Sequence, residues 1–257
     1  MTLEQSTGEI FLSVIIPVYN EAERLAATLQ RLHEYLSSGA FSYEILVVLD
    51  GPRDNTRGVL SEISAKIANL RVIDREINRG KGYTVKEGVL NASGKIRLFT
   101  DADNSTDIAH VAQMIPLFDR GCDLVIASRN PRDVPGAKQL VAQPFYRLFM
   151  SRVGNFLVQR LVLQGIWDTH CGFKAFRPAA ARKIFPLTKI DGWGFDIEVL
   201  ALARCFDCKI GVIPARWIND ARTHMGLLDY VHALRETISL RKRIGCWELE
   251  KLERPVS

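Results

Sequence analysis

The chain has 257 residues, with 34 Lys and Arg against 29 Asp and Glu, a net charge of +5, 47% hydrophobic residues and 25% charged ones. That length buries a substantial core, and that balance excludes disordered and fibrous classes; the positive excess is too mild to call for a nucleic-acid partner. No run approaches the ~20 apolar residues of a membrane span, and the polar stretch 1–10 lacks the basic-then-apolar order of a secretory signal, so a cytoplasmic protein is expected.

The five cysteines, Cys122, Cys171, Cys205, Cys208 and Cys246, are odd in number and irregular in spacing. They read as reduced structural thiols rather than a disulfide framework. Phe11 to Tyr19 is a short apolar run and predicts a buried first strand. Asn20 and Glu21 then open a helix whose Leu25, Leu29, Leu32 and Leu36 recur at helical spacing. Tyr43 to Leu49 predicts a second strand, and the turn from Asp50 to Thr56 caps a helix over 57–69. Leu70 to Ile73 predicts a third.

Asn78-Arg79-Gly80-Lys81-Gly82 precedes a helix reaching about Leu90. Flexible backbone with Arg and Lys at a helix start suits a phosphate cradle, and equally a glycine turn with solvated cations. The strand Ile96 to Thr100 delivers Asp101-Ala102-Asp103. Two carboxylates one residue apart at a strand end read either as a divalent-cation and diphosphate site or as a solvated turn. A helix over 108–118 and a strand over 122–127, ending in Ser128-Arg129, complete the first half. Strands alternating with helices predict an α/β, doubly wound, mostly parallel sheet with ligands at the strand carboxyl ends. The polar residues after four strands converge on that rim.

The second half differs. Lys138 to Gln164 contains Lys138, Arg147, Arg152 and Arg160 but no Asp or Glu, with apolar residues interleaved at three- and four-residue intervals. It reads as a basic amphipathic helix pair, either packed with its cations outward or facing anionic lipid headgroups. Asp168 to Phe176 is a turn entering a strand, a helix follows from Pro178, and Asp191 to Glu198 begins another. Asp196 and Glu198 suit the first helical turn by charge alone. Cys208 to Ile213 predicts an edge strand, and Leu227 to Ile244 a helical tail ending in Arg241-Lys242-Arg243.

Six ordered segments now carry a resemblance: Ile16-Pro17-Val18-Tyr19-Asn20-Glu21, Asn78 to Gly82, Asp101-Ala102-Asp103, Ala127-Ser128-Arg129, Asp168 to Lys174, and Trp193-Gly194-Phe195-Asp196. Over about residues 11 to 220 the chain resembles family 2 glycosyltransferases of the GT-A fold. Within them it is most similar to dolichyl-phosphate β-glucosyltransferases, with dolichyl-phosphate mannose synthases next. The resemblance implies one domain over 1–257: a nucleotide half (about 11–128), an acceptor half (about 129–220) and a helical tail (about 221–257). It implies inverting transfer of one hexose, glucose favoured, from a nucleotide diphosphate sugar to a polyprenyl phosphate at the inner membrane face.

Pro17, Tyr19 and Glu21 would line the nucleoside pocket, and Asp50 would belong with them to the donor nucleotide-sugar site. Lys81 and Lys174 would relieve diphosphate charge, and Asp101 and Asp103 would hold Mg²⁺ or Mn²⁺. Arg129, Arg147 and Ser151 would grip the acceptor phosphate. Asp196 would orient the attacking phosphate or the sugar hydroxyls. Many relatives carry two adjacent acids after the second strand, whereas this chain has Leu49 before Asp50, and Pro52 where a serine is common. UDP and GDP both remain open on that ground, and so do UDP-glucose and GDP-mannose as donors. Ser105 in place of a common Gln tilts the reading toward the glucosyl branch. Eukaryotic relatives mostly have an N-terminal anchor, so the basic segments are expected to dock this chain peripherally on an anionic membrane. A lipid phosphate is already anionic near neutral pH and needs no strong base; a rival, transfer to a glycan hydroxyl, would require Asp196 as that base.

Overall fold

The computed structural model describes residues 9–139, 154–217, 236 and 239–244. Seven strands form one sheet: β1 (Leu12–Val18), β2 (Tyr43–Asp50), β3 (Leu70–Arg75), β4 (Ile96–Thr100), β5 (Leu124–Ser128), β7 (Phe173–Phe176) and β8 (Ile210–Pro214). Their spatial order is β3-β2-β1-β4-β7-β5-β8. All neighbours pair in parallel except β7, which runs antiparallel between β4 and β5. The edge position expected for the last strand is the one β8 takes. Residues 138–139 (β6) and 216–217 (β9) pair separately as a small parallel ladder.

The strands are apolar on both faces because helices cover both. One face of β1, with Val14 and Ile16, packs under Leu25, Leu29, Leu32 and Leu36 of helix α1 (Leu25–Ser37), Leu60 of α2 (Thr56–Ser64), and Met114 and Phe118 of α4 (Val111–Asp119). The other face, with Ile15, Val48 and Phe99, packs under Val85 and Val89 of α3 (Lys81–Asn91), Val158 of α5 (154–161), Ile184 of α6 (Pro178–Ile184) and Phe195 and Leu200 of α7 (Phe195–Cys205). A period of two along each strand thus feeds two separate cores.

Two boundaries move from expectation. The helix predicted over 57–69 ends at Ser64, because Lys66 and Leu70 donate to the carbonyls of Ile63 and Ile67 and turn the chain into β3. The helix predicted over 108–118 begins as a 3₁₀ turn at Ile108–His110, capped by the Asp107 carboxylate on the Ala109 N–H. Arg147, Ser151 and most of the basic stretch and the tail lie outside the described residues. Cys122, Cys171, Cys205 and Cys208 form no disulfide. Among the described residues, no helix is long and apolar enough to cross a membrane.

Candidate active site

The carboxyl ends of β1, β2 and β4 build one side of the rim. After β1, Tyr19 is 40% exposed, and Asn20 enters the left-handed region at φ 55°, a conformation Asn tolerates. Its side-chain carbonyl accepts the Arg53 N–H at 2.8 Å. The Glu21 N–H donates to Thr56 Oγ1 at 2.9 Å, and the Ala22 N–H to Asp54 at 3.1 Å. The Glu21 carboxylate is held by Arg24. The β1 and β2 loops are therefore tied together beneath Tyr19.

Asp50 does something other than expected. Buried at 3%, it accepts the N–H groups of Arg79 and Gly80, each at 2.8 Å, and Nη2 of Arg75 at 2.8 Å. Both of its oxygens are committed to the 78–82 loop, so it organises that loop rather than presenting itself to a nucleobase. Gly80 has φ 100°, and a Cβ there would sit 2.4 Å from the Asp191 carbonyl. Only glycine fits that approach. The Gly82 N–H donates to the same carbonyl at 2.7 Å, locking the loop against residues 190–193.

The loop aims Lys81 at the end of β4. Its ammonium lies 2.5 Å from Asp101 Oδ1 and 5.0 Å from the Trp193 ring centroid. Burial pushes the Lys81 pKa down, but the negative charges of Asp101, Asp196 and Asp103 outweigh it and the net shift is upward. Asp101 alone contacts that ammonium; Asp196 and Asp103 act on it through their charge. Asp103 is oriented by accepting the Ser105 N–H at 2.9 Å. At Gly172 a Cβ would fall 1.9 Å from Asp101 Oδ2, so the Cys171-Gly172-Phe173 turn leaves room for that carboxylate.

This donor set fits a hard divalent cation. Mg²⁺ and Mn²⁺ take one or two carboxylates and keep other positions for water and phosphate oxygen. Among the described residues no cluster of three His, Cys, Asp or Glu forms an all-protein cage.

On the other side of the rim the charged residues are paired with one another. Arg129 makes a two-pronged contact with Asp168, Nε to Oδ2 at 2.8 Å and Nη2 to Oδ1 at 2.7 Å, and its own N–H adds a third bond at 2.7 Å. Burial pushes the Asp168 pKa up; Arg129 more than reverses this and holds it below the usual carboxylate value. Asp133, which sequence reading missed, collects Ser128 Oγ at 2.6 Å and the N–H groups of Trp167 and Asp168 at 2.7 and 2.9 Å. Only the Ser128 bond is local; the two backbone N–H groups that fix it come from 34 and 35 residues downstream.

Lys174, expected on the diphosphate, is instead fully buried in β7. Its ammonium donates to Asp196 Oδ1 at 2.5 Å and to the Cys171 carbonyl at 2.6 Å. Asp196 lies in the first turn of α7 but makes no cap bond there; it is the counter-ion of Lys174. His170, left without a role by the sequence, stands between these pairs. Desolvation by the surrounding protein lowers its pKa, with Asp196 and Asp168 acting against that and Lys174 and Arg129 with it. Burial raises the Cys171 thiol to about 11, which leaves it unreactive at neutral pH.

A rim of strand ends beside a carboxylate pair, on this strand order, is the architecture of a sugar-nucleotide transferase. Residues 13–185 match the model of glycosyl transferase family 2, and the chain belongs to that family. The dolichyl-phosphate beta-glucosyltransferase of Dictyostelium discoideum is 32% identical over 254 residues, covering 94% of this chain and 77% of the relative. The enzyme of the same name from Saccharomyces cerevisiae is 32% identical, over 92% and 76%. Among solved structures, glucosyl-3-phosphoglycerate synthase from Mycobacterium tuberculosis in complex with uridine diphosphate superposes with a TM-score of 0.63 at 19% identity, over 92% of this chain and 80% of that one. A mannosyltransferase from Pyrobaculum calidifontis, in complex with GDP-Man and Mn²⁺, superposes with a TM-score of 0.59 at 17% identity, over 98% and 66%. The fold is GT-A.

Proposed function

We propose that this chain transfers one glucose from UDP-glucose to a polyprenyl phosphate, with inversion at the anomeric carbon, as a peripheral protein on the cytoplasmic face of a membrane. The observation that carries the phosphate acceptor is the state of Asp196. Its side chain is 3% exposed and bound to a fully buried ammonium. A residue so engaged is badly placed to deprotonate a sugar hydroxyl, whereas a phosphate oxygen arrives already ionised. The relatives named above, dolichyl-phosphate beta-glucosyltransferases, support the same acceptor.

In this reading Pro17, Tyr19 and Glu21 line the nucleoside pocket. Asp101 and Asp103 would hold Mg²⁺ or Mn²⁺, which supplies positive charge to the departing diphosphate. Lys81 sits beside them with an ammonium kept charged by the surrounding acids, and it relieves the same diphosphate. An acceptor oxygen forms the new bond to the anomeric carbon as the bond to the diphosphate breaks, from the opposite face, giving the β product. Arg129, fixed by Asp168, and Arg147 and Ser151 bring that phosphate in line. Lys174 positions Asp196 at the edge of the sugar site.

The test offers the purified protein UDP-glucose or GDP-mannose with Mn²⁺ and a short polyprenyl phosphate, followed by mass spectrometry of the lipid. Hexosyl phospholipid from UDP-glucose that vanishes in Asp103→Ala supports the proposal. Product from GDP-mannose alone moves the donor, and glucose transferred only to glycan hydroxyls overturns the acceptor.

A further inference from the structure

A second cationic feature lies away from the strand ends. A cavity of about 330 Å³ opens between α5, the C-terminal end of α7 and the helical residues 239–244. Its walls bring together Arg160, Arg204 and Arg241 with Gln159 and Gln164, and no Asp or Glu is among the residues lining it. None of the residues placed in the donor site lines this cavity, and along α7 its nearest wall residue, Ala201, is five positions from Asp196, roughly 7.5 Å at helical rise. The cavity is therefore distinct from the donor site.

Its walls are built rather than incidental. Gln159 accepts the Gly165 N–H at 2.8 Å and donates to the Ile166 carbonyl, while Arg204 donates to the Gln164 carbonyl. Leu240 and Ile244 are buried in the second core, and Arg243 pairs with Glu198 at 2.7 Å. These anchors hold Arg241 where it stands. Among the described residues, none of Arg160, Arg204 and Arg241 has a carboxylate partner, and burial lowers the pKa of Arg204. Converging cations without counter-ions attract an anion. The volume exceeds that of a lone phosphate and lies in the range of small-molecule sites.

The surroundings say which anion. Phe156 is 65% exposed and lies one turn before Arg160, on the same face of α5. That helix ends the acid-free stretch Lys138 to Gln164, and Lys242 is exposed beside Arg241. An exposed aromatic ring among basic residues is the chemistry of a bilayer interface.

We propose that this cavity binds the headgroup of an anionic phospholipid, with Phe156 entering the acyl region; the idea rests on the lipid-acceptor reading above. Bound this way, the protein holds its acceptor side against the membrane through a site separate from catalysis.

The test is sedimentation of the full chain with phosphatidylcholine vesicles, with and without phosphatidylserine. Wild type binds the anionic vesicles. Arg160→Gln/Arg241→Gln weakens that binding by about 30-fold, about fivefold for each cation at such a surface, and Phe156→Ser weakens it further. The control Arg31→Gln/Lys66→Gln removes equal charge from α1 and the residues after α2, on the opposite side of the sheet, and leaves affinity unchanged. Circular dichroism verifies folding, and Phe156→Ser gives an independent readout should the arginine pair fail to fold. Equal loss in the control pair, unchanged binding in the arginine pair, or stabilisation by inorganic phosphate without vesicle binding overturns the site. Calorimetric titration of UDP with Mn²⁺ on the same samples reads the donor site separately, so failure of the transferase reading is distinguishable from failure of this one.

Discussion

The two sides of the rim use charge in opposite ways. On the proposed donor side Asp101 keeps 31% of its side chain exposed and faces Lys81, whose side chain is 17% exposed. On the proposed acceptor side Asp168 and Asp196 are exposed by 8% and 3%, and each is bound to a named cation. The first arrangement leaves charge available to a ligand. The second spends charge on fixing the scaffold, since a buried carboxylate is tolerated only with its partner and hydrogen bonds in place. Substitutions on the donor side should therefore cost activity at constant stability, and those on the acceptor side should cost stability as well.

The largest expected effect separates the two sides most cleanly. Asp103→Ala should lower glucosyl transfer by roughly 10³-fold, the scale of losing a preorganised electrostatic contact, with an unchanged thermal midpoint by differential scanning calorimetry. A midpoint that falls with activity would erase the contrast.

Next comes Asp168→Asn, which leaves Arg129 in place without its counter-charge. The expected cost is about 3 kcal/mol, a drop of roughly 6–12 °C for a chain of this size. A stable variant would mean that the pair is not structural.

A smaller effect is expected from Lys81→Met. Loss of one charged contact should raise the KM for the donor about tenfold, with less change in kcat and none in stability. An unaltered KM would remove Lys81 from the diphosphate.

The smallest effect is in acid. The folded Asp168 has its pKa below the ordinary value, so the unfolded chain binds its proton more readily. Its stabilising contribution is fully present above about pH 4, the ordinary carboxylate value, and is lost as pH falls through the folded pKa. Denaturant titrations of Asp168→Asn should therefore show a shallower loss of stability in that window than wild type, and parallel curves would contradict the assignment.

Much of this was legible because it is local. The runs 12–18, 43–50 and 96–100 are continuous, apolar and β-branched, and the acids after them are one turn away. The direction of β7 was not legible. Phe173-Lys174-Ala175-Phe176 is an apolar run like the others, and such a run does not encode whether it pairs parallel or antiparallel. Its lysine read as a cation for the diphosphate because nothing within Asp168 to Lys174 names its partner, Asp196, 22 residues on. The partners of Asp50 were hidden for the same reason: the N–H groups that claim it come from a glycine loop 29 and 30 residues away. Long-range pairing decides which charges remain for a ligand, and sequence pattern alone does not carry it.

The most direct test of the account is the structure of the lipid product formed from UDP-glucose, Mn²⁺ and a short polyprenyl phosphate. Mass spectrometry should find one added hexose, and phosphorus and proton magnetic resonance should find a β-glucosyl phosphodiester. An α anomer, a glycoside joined through a hydroxyl, or addition of several hexoses would contradict it.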